Sequence, residues 1–420
     1  MKPATNLVQE IGEEPPSTFT ATLKTEDEEP PGKGATATGR LFASVSPENW
    51  NDWRWQFKNR ITTVEELNKY LPLNRKQQAQ LRLVSLKYPL AATPYYLSLI
   101  DAKNPTDPIR LQAVPAGEEL TKAGEGIEDP LAEHEHSVVP GLVHRYPDRV
   151  LMVLTDICPM LCRHCTRKRE WRSGVWVRSG AEIQAMMDYI RIHPEVRDVI
   201  ISGGDPLTLS TARLEPVLAG LRSIKHVDII RIGTRCPVVM PQRIDDELCG
   251  MLGKYGPIWL NTHFNHPREI TPEAAAACDK LLRAGVPVNN QSVLLKGVND
   301  SLETQRALCQ GLLRAKVRPY YLFQCDEVAG TEHFWTPVET GIQIIEGLRG
   351  YTSGLAVPTY VIDLPHGGGK IPVGPEYLLA REGDGFRVRN YQGKLSHYKN
   401  PGALVRRQPA ELVCEDRVPV

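Results

Sequence analysis

VLMVLTDICPMLCRHCTRKR, residues 150–169, decides how this 420-residue chain is read. Its opening, 150–157, is an apolar, strand-like run. Directly after it come Cys158, Cys162 and Cys165 in a C-x3-C-x2-C spacing. Three thiolates so spaced suit one iron–sulfur cluster and leave it a ligand short. A [4Fe–4S] cluster held by four cysteines is coordinatively closed, whereas three leave one iron free to bind a small molecule. Two other readings stand beside this one. The thiolates and His164 would make a Cys3His zinc site, although His164 is wedged between two of its partners. The cysteines would otherwise be small buried hydrophobes, yet three within eight residues are more clustered than burial asks for.

Outward from this stretch, strand-like runs recur at 198–202, 228–233, 258–264, 287–295 and 319–324. Helical patterns alternate with them at 181–192, 214–221, 245–252, 272–284 and 302–315, and one more follows at 338–351. Strand–helix repeats imply parallel strands joined by right-handed crossovers. Six units are too few for an eight-stranded barrel, so the expected fold is α/β, a partial (β/α)6 barrel. Chemistry in such barrels sits at the C-terminal ends of the strands. There lie the cysteines, the Ser-Gly-Gly-Asp-Pro run at 202–206, Thr234 and Arg235, then Asn261, His263 and Asn265, and finally Gln291 and Asp326. Gly203 and Gly204, lacking Cβ atoms, let backbone approach a ligand closely, although a plain turn also explains them.

Composition bounds the rest. Lys+Arg and Asp+Glu balance at 50 each, which gives no reason to expect nucleic acid or an anionic membrane as partner. No apolar run reaches the length of a membrane span, no signal-peptide core opens the chain, and the other cysteines are scattered. A cytoplasmic protein with reduced thiols is expected. Residues 1–43 read as a disordered tail, 44–149 as a helical region packing Trp50, Trp53, Phe57 and Leu67, 150–352 as the barrel and 353–420 as a C-terminal segment.

That last segment contains VIDLPHGGGKIPVGPEY, with three glycines before Lys370. Ile371 and Pro372 rule out a P-loop, which needs Ser or Thr and then a helix. Lys370 is either a solvated loop residue or a lysine free to form a Schiff base.

The C-x3-C-x2-C run resembles that of the radical S-adenosylmethionine (SAM) superfamily. GLVHRYPDRVL (141–151), SGGDPL (202–207), RIGTRCPVVMPQRI (231–244), NTHFNHPREIT (261–271), NQSVLLKGVND (290–300), YYLFQCD (320–326) and DLPHGGGK (363–370) resemble the lysine 2,3-aminomutase family. The resemblance implies a radical SAM barrel flanked by an N-terminal helical region and a C-terminal segment carrying a lysine for pyridoxal 5′-phosphate (PLP). It implies a cluster on Cys158, Cys162 and Cys165, with SAM contacted by His164, Gly203, Gly204, Asp205, His263 and Gln291. PLP would be bound through Lys370, with Arg145, Tyr146 and Arg149 around it. Arg167 would clamp the substrate α-carboxylate, and Asp326 with Asp363 the distal ammonium of lysine. The glutamate branch would call for a lysine and an asparagine at those two positions. The implied reaction interconverts L-lysine and β-lysine (3,6-diaminohexanoate), with arginine or glutamate as alternative substrates. A non-catalytic cysteine-bound metal or redox module is the rival of another class. A reductant such as flavodoxin or ferredoxin and a homo-oligomer are further implications. The zinc site of some relatives is not expected, since only Cys414 lies beyond residue 325 and Ser301 takes the place of a partner cysteine.

Overall fold

The computed structural model describes residues 42–401 except 122, 123 and 173. The tail expected over 1–43 therefore lies almost wholly outside the described residues, and Cys414 entirely so. A short hairpin, β1 (Ser137–Val139) and β2 (Leu142–Tyr146), leads into β3 (Arg149–Val153). Then strands and helices alternate: β4 (Asp198–Ser202), β5 (Ile229–Gly233), β6 (Ile258–Thr262), β7 (Val288–Leu294) and β8 (Arg318–Gln324). Before β4 comes α1 (Gly180–Ile192), and the next four strands are preceded by α2 (Thr211–Arg222), α3 (Asp246–Lys254), α4 (Pro272–Arg283) and α5 (Leu302–Arg314). Ser179 and Glu182 form a reciprocal capping box on α1, and Asp245, Thr271 and Ser301 each accept an N-terminal amide of the helix that follows. Ser301 thus has a structural role of its own, as the cap of α5.

Beyond β8 the sheet continues past the six expected strands. α6 (Val338–Leu348) leads to β9 (Thr359–Leu364), which pairs parallel to β8, and β10 (Gly369–Pro372) then pairs antiparallel to β9. Pro358 and Pro365 bracket β9 and, with three glycines following, give the segment the look of a loop. The result is one ten-stranded sheet in chain order, β1 to β10, parallel from β3 to β9 with antiparallel strands at both edges. Of the boundaries expected from sequence, 149/150 falls inside β3 and 352/353 between α6 and β9, so one sheet runs across both. β11 (Leu378–Glu382), β12 (Gly385–Arg389) and β13 (Leu395–Lys399) make a separate antiparallel sheet.

The parallel strands bury alternate apolar residues, among them Met152, Ile201, Ile232 and Leu260, beneath the helices. Trp50, Trp53 and Leu67 belong to the same core cluster. The helix expected around them is broken into Pro47–Asn51, Trp53–Lys58 and Val64–Tyr70, because Asp52 ends one helix and caps the next and Thr63 caps the third. No helix among the described residues is long and apolar enough to cross a membrane.

Candidate active site

β3 ends at Val153, four residues before the expected end. Leu154 still donates its amide to the Ser202 carbonyl (3.0 Å), but Asp156 donates to the Trp176 carbonyl (3.3 Å), so the chain peels off the sheet and carries the cysteine loop across its end. The strand ends enclose a cavity of about 560 Å³ there, and all sixteen residues given roles above line it. Its two poles are chemically different.

One pole holds the three cysteines. Cys162 Sγ accepts from Arg235 Nη1 at 2.9 Å, and Cys165 Sγ from the Arg167 amide at 3.3 Å. Burial pushes the Cys165 thiol up to about 11 and raises that of Cys158 well above the ordinary thiol value. Arg235 itself is held by the His263 carbonyl (3.0 Å), Gln112 (2.6 Å) and Glu269 (2.8 Å). Asp205 faces inward, with Oδ1 accepting from Thr234 (2.7 Å) and the Leu207 amide (3.0 Å) and Oδ2 from the Arg235 amide (2.8 Å). These bonds hold the Gly-Gly turn to the neighbouring strand end. His164 places Nε2 3.3 Å from Asn265 Nδ2, while its buried Nδ1 has no partner. Burial, then the Arg235 charge, keeps both His164 and His263 neutral, the latter down to about 4.

The other pole is ionic. In the β9–β10 hairpin Lys370 stands directly across from Asp363, and its Nζ lies 2.7 Å from Asp363 Oδ2. His366, Gly367 and Gly369, all with positive φ, make the tight reversal between them. Arg145 Nη2 takes the other Asp363 oxygen at 3.2 Å and the Tyr146 hydroxyl at 3.3 Å, and that hydroxyl also accepts the Lys370 amide at 3.0 Å. Arg149 lies over the Tyr146 ring, 4.7 Å from its centre. Asp326 is different: its buried Oδ1 has no partner. Burial and then the neighbouring Asp363 raise its carboxyl to about 7. Arg167 lies between the poles, donating Nη1 to the Gly203 carbonyl at 3.1 Å and gripping Glu133 with Nε and Nη2.

Residues 152–306 match the family model of the radical SAM superfamily, and 345–416 match that of lysine-2,3-aminomutase. The L-lysine 2,3-aminomutase of Clostridium subterminale is 54% identical over 86% of this chain and 87% of its own length. The chain belongs to the lysine 2,3-aminomutase family. The L-lysine 2,3-aminomutase of Bacillus subtilis is 49% identical, over 88% of this chain and 78% of its own. The glutamate 2,3-aminomutase of Clostridioides difficile is 47% identical, over 85% and 84% respectively.

Membership makes this aminomutase a radical SAM isomerase, and the radical SAM family implies SAM and a [4Fe–4S] cluster. The residues fit such guests. The thiols of Cys158 and Cys165, which desolvation makes harder to ionise, suit a ligand bringing positive charge, as iron does. Among the described residues no group of three His, Cys, Asp or Glu side chains is gathered tightly enough to hold a single metal ion. Ligands of separate irons in a cluster stand farther apart than those of one ion. Two orphaned polar atoms in the wall, His164 Nδ1 and Asp326 Oδ1, call for partners that a bound ligand would provide.

Not every contributor was marked in the sequence of this aminomutase. Arg235 carried no ligand role, yet its side chain donates to Cys162 Sγ. Glu133 sits in PLAEHEHS, which shows no motif spacing. Nothing short of the fold brings it to Arg167.

Proposed function

We propose that this isomerase interconverts L-lysine and β-lysine, moving the α-amino group to the neighbouring carbon, with PLP on Lys370 as second cofactor. The carrying observation is at the ionic pole: Asp363 already accepts a lysine ammonium, that of Lys370, at 2.7 Å, beside the unpartnered Asp326. Two carboxylates in a buried pocket suit a substrate with a second cationic end, and they repel the side-chain carboxylate of glutamate.

Cys158, Cys162 and Cys165 would hold the cluster, with Gly203, Gly204, His164, His263 and Gln291 around SAM and Asp205 fixing the glycine turn. Lys370, Arg145, Tyr146 and Arg149 would hold PLP. Bound there, the cluster and SAM supply a carbon-centred radical that takes and returns a substrate hydrogen atom, and PLP carries the amino group as it migrates. The chain's own residues orient and enclose. Arg167 binds the α-carboxylate and the aspartates the distal ammonium, stretching the substrate between two fixed ends so that one carbon faces the radical source. Neutral His164 and His263 add no charge beside the cluster. Buried walls keep water and competing hydrogen donors away. The eight cysteines among the described residues form no disulfides, which suits a cytoplasmic enzyme, and we assign it a flavodoxin or ferredoxin as reductant and a homo-oligomeric state.

Reduced protein supplied with PLP and SAM is incubated with lysine, arginine and glutamate in turn, and β-amino products are measured. Lysine turns over fastest. Equal or faster turnover of glutamate would overturn the assignment. Asp326→Lys with Asp363→Asn lowers lysine turnover at least a hundredfold, on the order expected for removing two charged contacts.

A further inference from the structure

Among the charged side chains that line the cavity, Glu133 is one to which the proposed reaction gives no part. Glu133 lines the cavity wall, its side chain only 12% exposed against 18% for Arg167. It meets Arg167 along one side of the guanidinium, Nε at 2.8 Å from Oε2 and Nη2 at 2.6 Å from Oε1. Arg169 Nη2 holds Oε2 from the far side at 2.8 Å and is itself tied to Asp129 at 3.2 Å. Glu133 is therefore pinned, with no freedom to swing with each turnover.

A guanidinium has five N–H donors in a planar fork. Glu133 takes Nε–H and one N–H of Nη2, and the Gly203 carbonyl takes one of Nη1. One N–H remains on each terminal nitrogen. Two donors are thus left for the oxygens of a carboxylate. Arg167 is a long side chain whose ordering costs rotamer entropy, and Glu133 meets that cost before substrate arrives.

We infer that Glu133 is a positioning residue for the substrate carboxylate: it fixes the side edge of Arg167 so that the remaining N–H pair is presented to the ligand. The Gly203 bond ties this clamp to the glycine turn that borders the cysteine loop. The inference rests on the reading of Arg167 as the carboxylate clamp. The competing role is that of a placeholder, a built-in carboxylate that substrate must displace. The two roles predict opposite effects on affinity.

PLP-loaded protein without SAM is titrated calorimetrically with L-lysine and with 1,5-diaminopentane, which keeps both amino groups and lacks the carboxylate. Glu133→Gln and Glu133→Ala weaken lysine binding about tenfold or more, the scale of a disturbed charge-assisted bond, and leave diaminopentane binding unchanged. In turnover KM rises by a larger factor than kcat falls. Unchanged or tighter lysine binding overturns the inference in favour of a placeholder, and equal weakening of both ligands overturns it in favour of a general structural role. Arg167→Ala serves as the separating control. It erases the preference for lysine over diaminopentane if Arg167 is the clamp, and failure there removes the clamp reading itself. Success there with silent Glu133 variants removes only the role of Glu133.

Discussion

At the residue scale, the two aspartates of the ionic pole differ in what already holds them. Asp363 is flanked by Arg145 and Lys370, whereas Asp326 Oδ1 has no partner and burial lifts its carboxyl to about 7. The fold thus prefers Asp326 protonated. Its contribution to stability is full below the unfolded value near 4 and is lost as pH rises to about 7. Carrying the charge above that point costs on the order of 4 kcal/mol in the ligand-free protein. Asp326→Asn without ligands should therefore melt above the parent at pH 8, and the gap should shrink by more than half at pH 5. A gap that stays constant with pH would sink the argument. The parent's affinity for lysine should rise with pH through about 7, because only the ionised carboxylate repays a cation. Asp326 and Asp363 were both legible in the sequence, carried by YYLFQCD and DLPHGGGK. Their inequality was not, because it depends on Arg145, which lies more than two hundred residues from Asp363 in the chain.

At the scale of elements, the cysteine loop and the glycine turn are one construction. The Gly204 amide donates to the Thr155 carbonyl and the Asp205 amide to the Ile157 carbonyl at 2.7 Å, so the turn after β4 is laced to the backbone leading into Cys158. A Cβ on Gly203 would run into the Thr155 backbone, and one on Gly204 into that of Asp156 and Ile157. Sequence reasoning left these glycines either to close approach of a ligand or to a plain turn; in the fold the chain's own backbone also lies close against them. Gly204→Ala must push the cysteine loop away from the turn, at a cost of about 1–3 kcal/mol for overpacking. After anaerobic reconstitution the variant should hold less iron and sulfide per chain than the parent, alongside a lowered melting temperature. Full iron content would refute the coupling. The six parallel strands were legible because each is an apolar run bounded by turn residues. β9 was not, since glycines and prolines crowd the segment and its six residues fall between two prolines.

At the scale of the molecule, the sheet's two ends meet in side chains. β2 lies next to one edge and β10 forms the other, eight positions apart in the order, yet Tyr146 on β2 accepts the Lys370 amide of β10 at 3.0 Å and Arg145 bonds Asp363 of β9 at 3.2 Å. A barrel with too few strands to close through backbone pairing is drawn together here by an ion pair and a phenol. The same residues are those proposed to surround PLP, so closure and cofactor binding share one set of contacts. Tyr146→Phe keeps the ring and removes only the hydroxyl, which costs about 1 kcal/mol as one lost hydrogen bond. In the ligand-free protein the Lys370 amide should then exchange with solvent several-fold faster, while amides in the middle of β5 and β6 stay as slow as before. Exchange at Lys370 unchanged by the substitution would mean that the hairpin is held by its own ladder to β9. Acceleration spread evenly over all strands would mean that the hydroxyl supports the whole barrel instead of its seam.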